Sequence, residues 1–137
     1  MTTYIPAALR QLVTERAKGR CEYCRFPDDA AFLSFEVDHI ISEKHGGATT
    51  AENLALACVF CNSFKGTDLG SLDPLTGQLT PFFNPRTQIW SEHFAVEAEG
   101  QLQPLTPEGR VTVAILRMNV PERVVERQLL TEVGRYP

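Results

Sequence analysis

Cysteine spacing is the strongest chemical signal in this 137-residue sequence. All four cysteines fall into two Cys-x-x-Cys pairs, Cys21 with Cys24 and Cys58 with Cys61. Each pair can present two sulfur ligands from one tight turn, and two such turns complete a tetrahedral zinc site with no open position. We therefore predict a structural zinc ion on these four residues. Disulfides, a redox-active pair and a rubredoxin-like iron site are the alternatives.

The sequence around the pairs bears on those alternatives. No apolar signal-like run precedes the first pair, which favours a reducing, cytoplasmic setting over disulfides. A thioredoxin-like redox site would explain only one of the two pairs. The sequence also contains no transmembrane segment, so we expect no membrane partner.

Polar residues at fixed positions accompany the cysteines. The full pattern reads Cys21-x-x-Cys24, Asp38-His39-Ile40-Ile41, Gly46-Gly47, Asn53-Leu54 and Cys58-x-x-Cys61-Asn62-x-x-Lys65-Gly66. This pattern resembles the HNH nuclease family, in a His-Asn-Asn variant because Asn62 occupies the last motif position. The resemblance implies an α+β fold built on a ββα-metal (His-Me) finger with a treble-clef-like zinc site. It also implies cleavage to 5′-phosphate and 3′-hydroxyl ends.

The same residues suit phosphodiester hydrolysis on chemical grounds. The reaction needs a base that activates water and positive charge near the phosphorus and the departing oxygen. His39 is the candidate base, because imidazole can accept a proton near neutral pH. Asp38 and Asn62 offer the oxygen ligands that Mg²⁺ or Mn²⁺ prefers. We therefore predict a catalytic divalent cation on Asp38 and Asn62.

Other motif residues receive supporting roles. By the resemblance, Asn53 pins the long loop and orients His39 without binding the metal. Lys65, three residues after Asn62 on an expected helix, is a candidate phosphate contact, with a solvated lysine as the equal alternative. Arg20 and Arg25 are further candidates for substrate binding. His45 is interpreted as a loop histidine, with a substrate contact as the lesser alternative. His93 is favoured as a packed or exposed histidine over a participant in a second site.

Each of these signals is weak when taken alone. An Asp-His pair is more often a surface pair than a catalytic one, and Asn62 could simply cap a helix. Their joint placement within the cysteine frame makes a DNA endonuclease the leading hypothesis. A catalytically silent zinc-scaffolded adaptor for nucleic acid or protein, and a ribonuclease of the same fold, are the alternatives.

Periodicity predicts the elements that position these residues. A first helix is predicted over residues 6–18, and alternation of Leu33, Phe35 and Val37 predicts a strand over residues 32–39 that ends at His39. A loop over 40–52, a strand over 54–57 and a helix opening near Cys61 complete the motif. Beyond residue 66 we expect a hairpin within 93–105, a helix capped by Thr106 and a helix over 122–133. Phe82, Phe83 and Trp90 are predicted to pack in a core or lid, with base stacking as the alternative.

Length and charge limit the remaining possibilities. With 137 residues, 43% of them hydrophobic, the chain is predicted to form one domain (1–137), comprising an N-terminal helix (1–20), the zinc and motif core (21–66) and a C-terminal part (67–137). Its net charge of -4 opposes nucleic-acid binding. Basic residues nevertheless outnumber acidic ones in the segment that leads into the first cysteine pair (Arg10, Arg16, Lys18, Arg20, Arg25).

Partners follow from this charge balance. We expect weak, salt-sensitive binding to DNA, with RNA as the other candidate substrate. An accessory protein would supply affinity that an acidic chain lacks. A homodimer would account for double-strand cuts, although no feature of the sequence requires one.

Overall fold

A computed structural model describes residues 3–137, which form short helices and three separate two-stranded antiparallel sheets. The helices are α1 (Ala7–Arg16), α2 (Val59–Lys65), α3 (Trp90–His93), α4 (Pro107–Ile115) and α5 (Pro121–Glu132). The strands are β1 (Glu36–His39), β2 (Leu54–Ala57), β3 (Gly70–Leu72), β4 (Leu79–Pro81), β5 (Phe94–Val96) and β6 (Leu102–Pro104). Within residues 3–137, no helix is long and apolar enough to cross a membrane.

The first helix is shorter than its pattern predicts. Pro6 lies just before α1, and the helix ends at Arg16 because Lys18 and Gly19 adopt positive φ angles of 55° and 67°. Val13 is fully buried, whereas Leu12 is exposed, so only a narrow face of the helix contacts the core. Val13 packs against β2 in a small hydrophobic cluster of Ile5, Val13, Ala17, Leu54 and Leu56.

The predicted strand over residues 32–39 is too long at its start. Only Glu36–His39 is extended, and it pairs with the whole of β2, from Glu36 opposite Ala57 to His39 opposite Leu54. Phe32 and Leu33 are exposed because β2 ends at Ala57, where the chain turns into the second cysteine pair. The end at His39 and the four residues of β2 agree with the prediction.

The second cysteine pair joins β2 directly to α2. The sulfur of Cys58 accepts a hydrogen bond from the Cys61 backbone N–H, so Cys58 caps α2. The helix begins at Val59, before the position expected near Cys61, and its C-terminal cap is Gly66, with a φ of 52°. Strand, loop, strand and helix therefore follow one another in the predicted order.

A larger hydrophobic core connects the cysteines to the C-terminal part of the chain. Phe82, Phe83 and Trp90 are buried in it, which confirms core packing and leaves no exposed rings for base stacking. The predicted β5–β6 hairpin is present, and Thr106 caps α4 by accepting from Gly109 N–H.

The C-terminal part also contains a hairpin and a buried histidine. The hairpin, β3–β4, was not predicted from periodicity. His93 is buried and its Nδ1 lies 2.6 Å from Thr106 Oγ1. His93 is therefore a packed histidine, as favoured above.

Candidate zinc centre and candidate active site

The four cysteines form one buried cluster. Their sulfur atoms all lie within 4.8 Å of one another, and Cys24 Sγ is 3.7 Å from Cys58 Sγ. Zn–S bonds of about 2.3 Å in a tetrahedron place sulfurs about 3.8 Å apart. The cluster therefore has the size and donor set of a structural zinc site, as predicted. Within residues 3–137 it is the sole group of three or more His, Cys, Asp or Glu side chains so arranged.

Burial makes zinc binding and ionisation of the sulfurs interdependent. Burial, and then contact with neighbouring thiols, raises the pKa of Cys21, and burial raises that of Cys61. Without a cation these thiols favour the protonated form. Hydrogen bonds from the neighbouring thiols instead lower the pKa of Cys24. A zinc ion binds thiolates and displaces the remaining protons, so we expect the cluster to reach its full negative charge only with metal bound.

Arg123 on α5 is a neighbour of the cluster that sequence reasoning missed. Its Nη2 lies 3.1 Å from Cys61 Sγ and 3.7 Å from Cys58 Sγ. Burial alone would lower the pKa of Arg123, but the adjacent sulfurs outweigh burial and raise it. Four thiolates around Zn²⁺ carry a net charge of -2, of which this guanidinium offsets one unit. No local motif marks the residue, because it lies far from the cysteines in the chain.

The carboxylate of Asp38 is held in a buried ion pair. Lys65 Nζ lies 3.1 Å from Asp38 Oδ2 and also donates to the His39 carbonyl at 3.0 Å. The Tyr23 hydroxyl donates to the same carboxylate at 2.8 Å. Burial raises the pKa of Asp38, whereas Lys65 and Tyr23 act to lower it. Lys65 is almost fully buried, and its ammonium neutralises Asp38. The side chain is therefore not exposed, although a phosphate contact would require exposure.

Asn62 lies against a different carboxylate from the one predicted. Its side-chain amide contacts Glu36, whereas Asp38 contacts Lys65 and Tyr23. Residues two apart in a strand share a face, so Glu36 and Asp38 both face α2. Glu36 was missed by sequence reasoning, and its position two residues before Asp38 was the available signal.

His39 stands at the end of β1 and is only 15% exposed. Its Nε2 lies 2.9 Å from Thr49 Oγ1 and 3.8 Å from Glu43 Oε1. Both partners belong to the loop between β1 and β2. The loop therefore restrains the imidazole, and its conformation bears directly on the orientation of the ring.

Asn53 ties this loop together. Its Nδ2 donates to the carbonyls of Ile41 and Ala48, and its Oδ1 accepts from Ile41 N–H, each at 2.9 Å. These contacts are those expected of a residue that pins the loop. Its influence on His39 stays a prediction, since the structure records no direct bond between the two side chains.

Similarity to known proteins agrees with this geometry. Residues 21–68 match the HNH endonuclease family. The match confirms the resemblance over about a third of the chain, and it indicates nuclease activity and a nucleic-acid substrate in general terms. No curated protein matches the chain significantly.

The HNH segment contains most of the predicted site residues. All four cysteines, Asp38, His39, Asn53, Asn62 and Lys65 lie within it, whereas Arg20 lies one residue before it. Arg20 donates to the carbonyls of Arg25 and Arg135, so its guanidinium is engaged with backbone. The Arg25 guanidinium lies over the Trp90 ring, 5.3 Å from the centroid.

Proposed function

We propose that this chain is a metal-dependent HNH endonuclease that hydrolyses phosphodiester bonds in DNA, with His39 as the base. The observation that carries the proposal is the position of His39 at the end of β1, next to a loop pinned by Asn53 and inside the matched segment. The imidazole would accept a proton from the attacking water. The Thr49 contact would limit the ring to one orientation, which favours attack from a fixed direction.

The proposed catalytic cation would lie between β1 and α2. Asp38 and Asn62 offer a carboxylate and an amide oxygen, and Glu36 adds a second, exposed carboxylate beside Asn62. These donors fit Mg²⁺ or Mn²⁺ in kind. When bound, such an ion would stabilise negative charge at the phosphate and the departing oxygen. It would compete with the Lys65 ammonium for Asp38, so Glu36 and Asn62 supply the more accessible donors.

The Asp38–Lys65 ion pair also favours a second candidate function. A carboxylate that is already neutralised by a buried lysine attracts a cation less strongly than a free one. A zinc-scaffolded module that binds nucleic acid without cutting it is consistent with that contact. The two functions differ in a single observable, which is strand scission that depends on added divalent metal.

Incubation of the zinc-loaded protein with supercoiled plasmid tests the proposal. We expect conversion to open-circle or linear DNA with Mg²⁺ or Mn²⁺, and none in metal-free buffer. A parallel reaction with single-stranded RNA of matched length addresses the ribonuclease alternative. Cleavage of RNA alone would reject the DNA assignment, and binding without cleavage of either substrate would favour the adaptor.

A further inference from the structure

A small polar cavity of about 180 Å³ lies beside the first cysteine pair. The C-terminal end of α1, the segment around Arg25 and residues 83–90 enclose it. Its lining includes Arg16, Lys18, Glu22, Arg25 and Trp90. Pockets that enclose drug-sized ligands measure roughly 300–1,000 Å³. The cavity therefore suits a small group, such as one phosphate, better than a whole nucleotide.

Positive charge is in excess around this cavity. Three cationic side chains line it, and Glu22 is the one acidic residue among them. Glu22 is already engaged by the Arg86 guanidinium and by the Leu56 backbone N–H. None of the three cations takes part in an ion pair with a carboxylate within residues 3–137. The ion pairs there are His39–Glu43, Lys65–Asp38, Arg86–Glu22, Arg110–Asp73 and Arg135–Asp29.

The three cations differ in how far they are exposed to solvent. Arg25 is half-buried and its guanidinium lies over the Trp90 ring, 5.3 Å from the centroid. Arg16 and Lys18 are exposed at the rim. A bound oxyanion would therefore meet one fixed guanidinium inside the cavity and two exposed cations at its edge, and it would supply the negative charge that these side chains lack.

The cavity is connected to the strand pair that carries His39. Arg16 Nη2 donates to the Leu54 carbonyl at 2.7 Å, and Leu54 is paired with His39 across the β1–β2 hairpin. Paired residues on antiparallel strands lie about 4.5–5.5 Å apart. The cavity's Arg16 is thus one strand away from the candidate base.

We propose that the cavity binds a backbone phosphate of the nucleic-acid strand that is positioned at His39. The proposal rests on the nuclease function proposed above and adds a phosphate contact outside the scissile site. Lys18 and Arg25 are the binding residues, and Trp90 forms one wall. Arg16 adds positive charge, while its guanidinium donates to the Ala51 and Leu54 carbonyls. The site also answers the objection from net charge, because local positive charge attracts phosphate even in a chain with a net charge of -4.

A binding measurement without divalent metal tests the proposal separately from cleavage. Affinity for a fluorescein-labelled DNA oligonucleotide is measured by anisotropy over a range of salt concentrations, for the wild type, Arg25→Gln and Lys18→Gln. Arg117→Gln, an exposed residue stacked on Phe64, is the matched charge control. We expect several-fold weaker binding for the two cavity variants and a salt slope reduced by about 0.7–0.9 for each lost phosphate contact. Lys18→Gln leaves the Arg25–Trp90 contact in place, so weaker binding by this variant could not be caused by the loss of that packing.

Trp90 gives a local signal because it is the single tryptophan of the chain. Oligonucleotide binding should change its fluorescence in the wild type and not in Arg25→Gln. If Trp90 fluorescence changed with inorganic phosphate and not with the oligonucleotide, the cavity would be a site for free phosphate and not for a nucleic-acid strand. That result would overturn the proposal. Equal affinity and salt slope for all four proteins would also overturn it, even if the wild type cuts DNA. An Arg25-dependent salt slope without any cleavage would support the cavity and reject the nuclease.

Discussion

Asp38 has two groups that compete for its charge, the buried ammonium of Lys65 and the proposed divalent cation. The carboxylate is nearly inaccessible, and Lys65 and Tyr23 already occupy it. Breaking a buried ion pair by removing one partner typically costs about 3–5 kcal/mol, since the other charge stays buried alone. Lys65 is therefore a structural counter-ion in this protein, and its substitution should affect folding.

Lys65→Met should destabilise the protein in a pH-dependent way. Lys65 lowers the pKa of Asp38 against the opposing effect of burial, so its loss raises that pKa further. A carboxyl group with a higher pKa in the folded than in the unfolded state binds more protons when folded. The stability that such a carboxyl group contributes is fully present below its unfolded-state pKa of about 3.9. This stability is lost as the pH rises through the pKa of the folded state. The deficit against wild type should therefore be larger at pH 8 than at pH 5.

Urea unfolding at the two pH values, without added magnesium, measures this deficit. Lys44→Met is the matched control, because Lys44 is exposed and its loss should change stability by less than about 0.5 kcal/mol. Equal stability of Lys65→Met and wild type at pH 8 would show that the Asp38 carboxylate does not depend on Lys65.

At the scale of elements, the loop between β1 and β2 depends on one close backbone approach. A Cβ on Gly47 would lie 1.6 Å from the Ile41 carbonyl oxygen and 2.8 Å from Asn53 Nδ2. Gly47→Ala must therefore displace the loop and break the Asn53–Ile41 contacts. We expect a loss of about 1–3 kcal/mol of stability and a marked loss of cleavage, because the same loop holds Thr49 against His39.

Gly46→Ala separates this steric effect from the ordinary cost of replacing glycine. Gly46 has a φ of 86° and open space around it, so alanine there costs backbone strain of about 1–3 kcal/mol without a collision. Thermal unfolding and plasmid cleavage of both variants provide the comparison. If Gly47→Ala retained as much cleavage as Gly46→Ala, the loop would not position the base.

We expect the two cysteine pairs to couple metal binding to folding. Structural zinc contributes about 10–16 kcal/mol in zinc-finger peptides, which matches or exceeds the net stability of about 5–15 kcal/mol of typical domains. Cys58→Ser removes one sulfur ligand but keeps a side chain that can cap α2, since serine is a preferred N-cap residue. For this variant we expect a zinc content below one ion per chain and a large fall in Tm. Wild type treated with a strong chelator should show the same loss of zinc and the same fall in Tm. A zinc-free variant with wild-type Tm would contradict a structural role for the metal.

Local sequence predicted β2 and the order of elements correctly because those features depend on short-range signals. The second strand is bounded by Asn53 and by the cysteine pair, both visible in the sequence. The start of β1 could not be predicted, since its length is set by the partner strand and not by the alternation of Leu33 and Phe35. Burial of Lys65 was also unpredictable, because it depends on which strand residue faces α2.

On the scale of the whole molecule, the C-terminal part completes the core around the cysteine cluster. Arg123 contacts two of the cysteine sulfurs, and the Tyr136 hydroxyl donates to the Cys24 carbonyl. Both residues lie outside the segment that matches the HNH family. Such contacts join residues more than 60 positions apart, so no local pattern could indicate them. The matched segment and the tail therefore share one core around the cysteines.

The central claim is that His39 activates water for phosphodiester hydrolysis, and plasmid cleavage by His39→Ala tests it most directly. His45→Ala is the matched control, because His45 is an exposed histidine of the same loop region. Zinc content and Tm are measured on both variants, so that loss of activity can be separated from loss of fold. We expect His39→Ala to lose cleavage by at least about 100-fold, the lower range for general-base catalysis, while it stays folded and zinc-loaded, and His45→Ala to cut like wild type. Unchanged cleavage by a folded His39→Ala would contradict the assignment of the base.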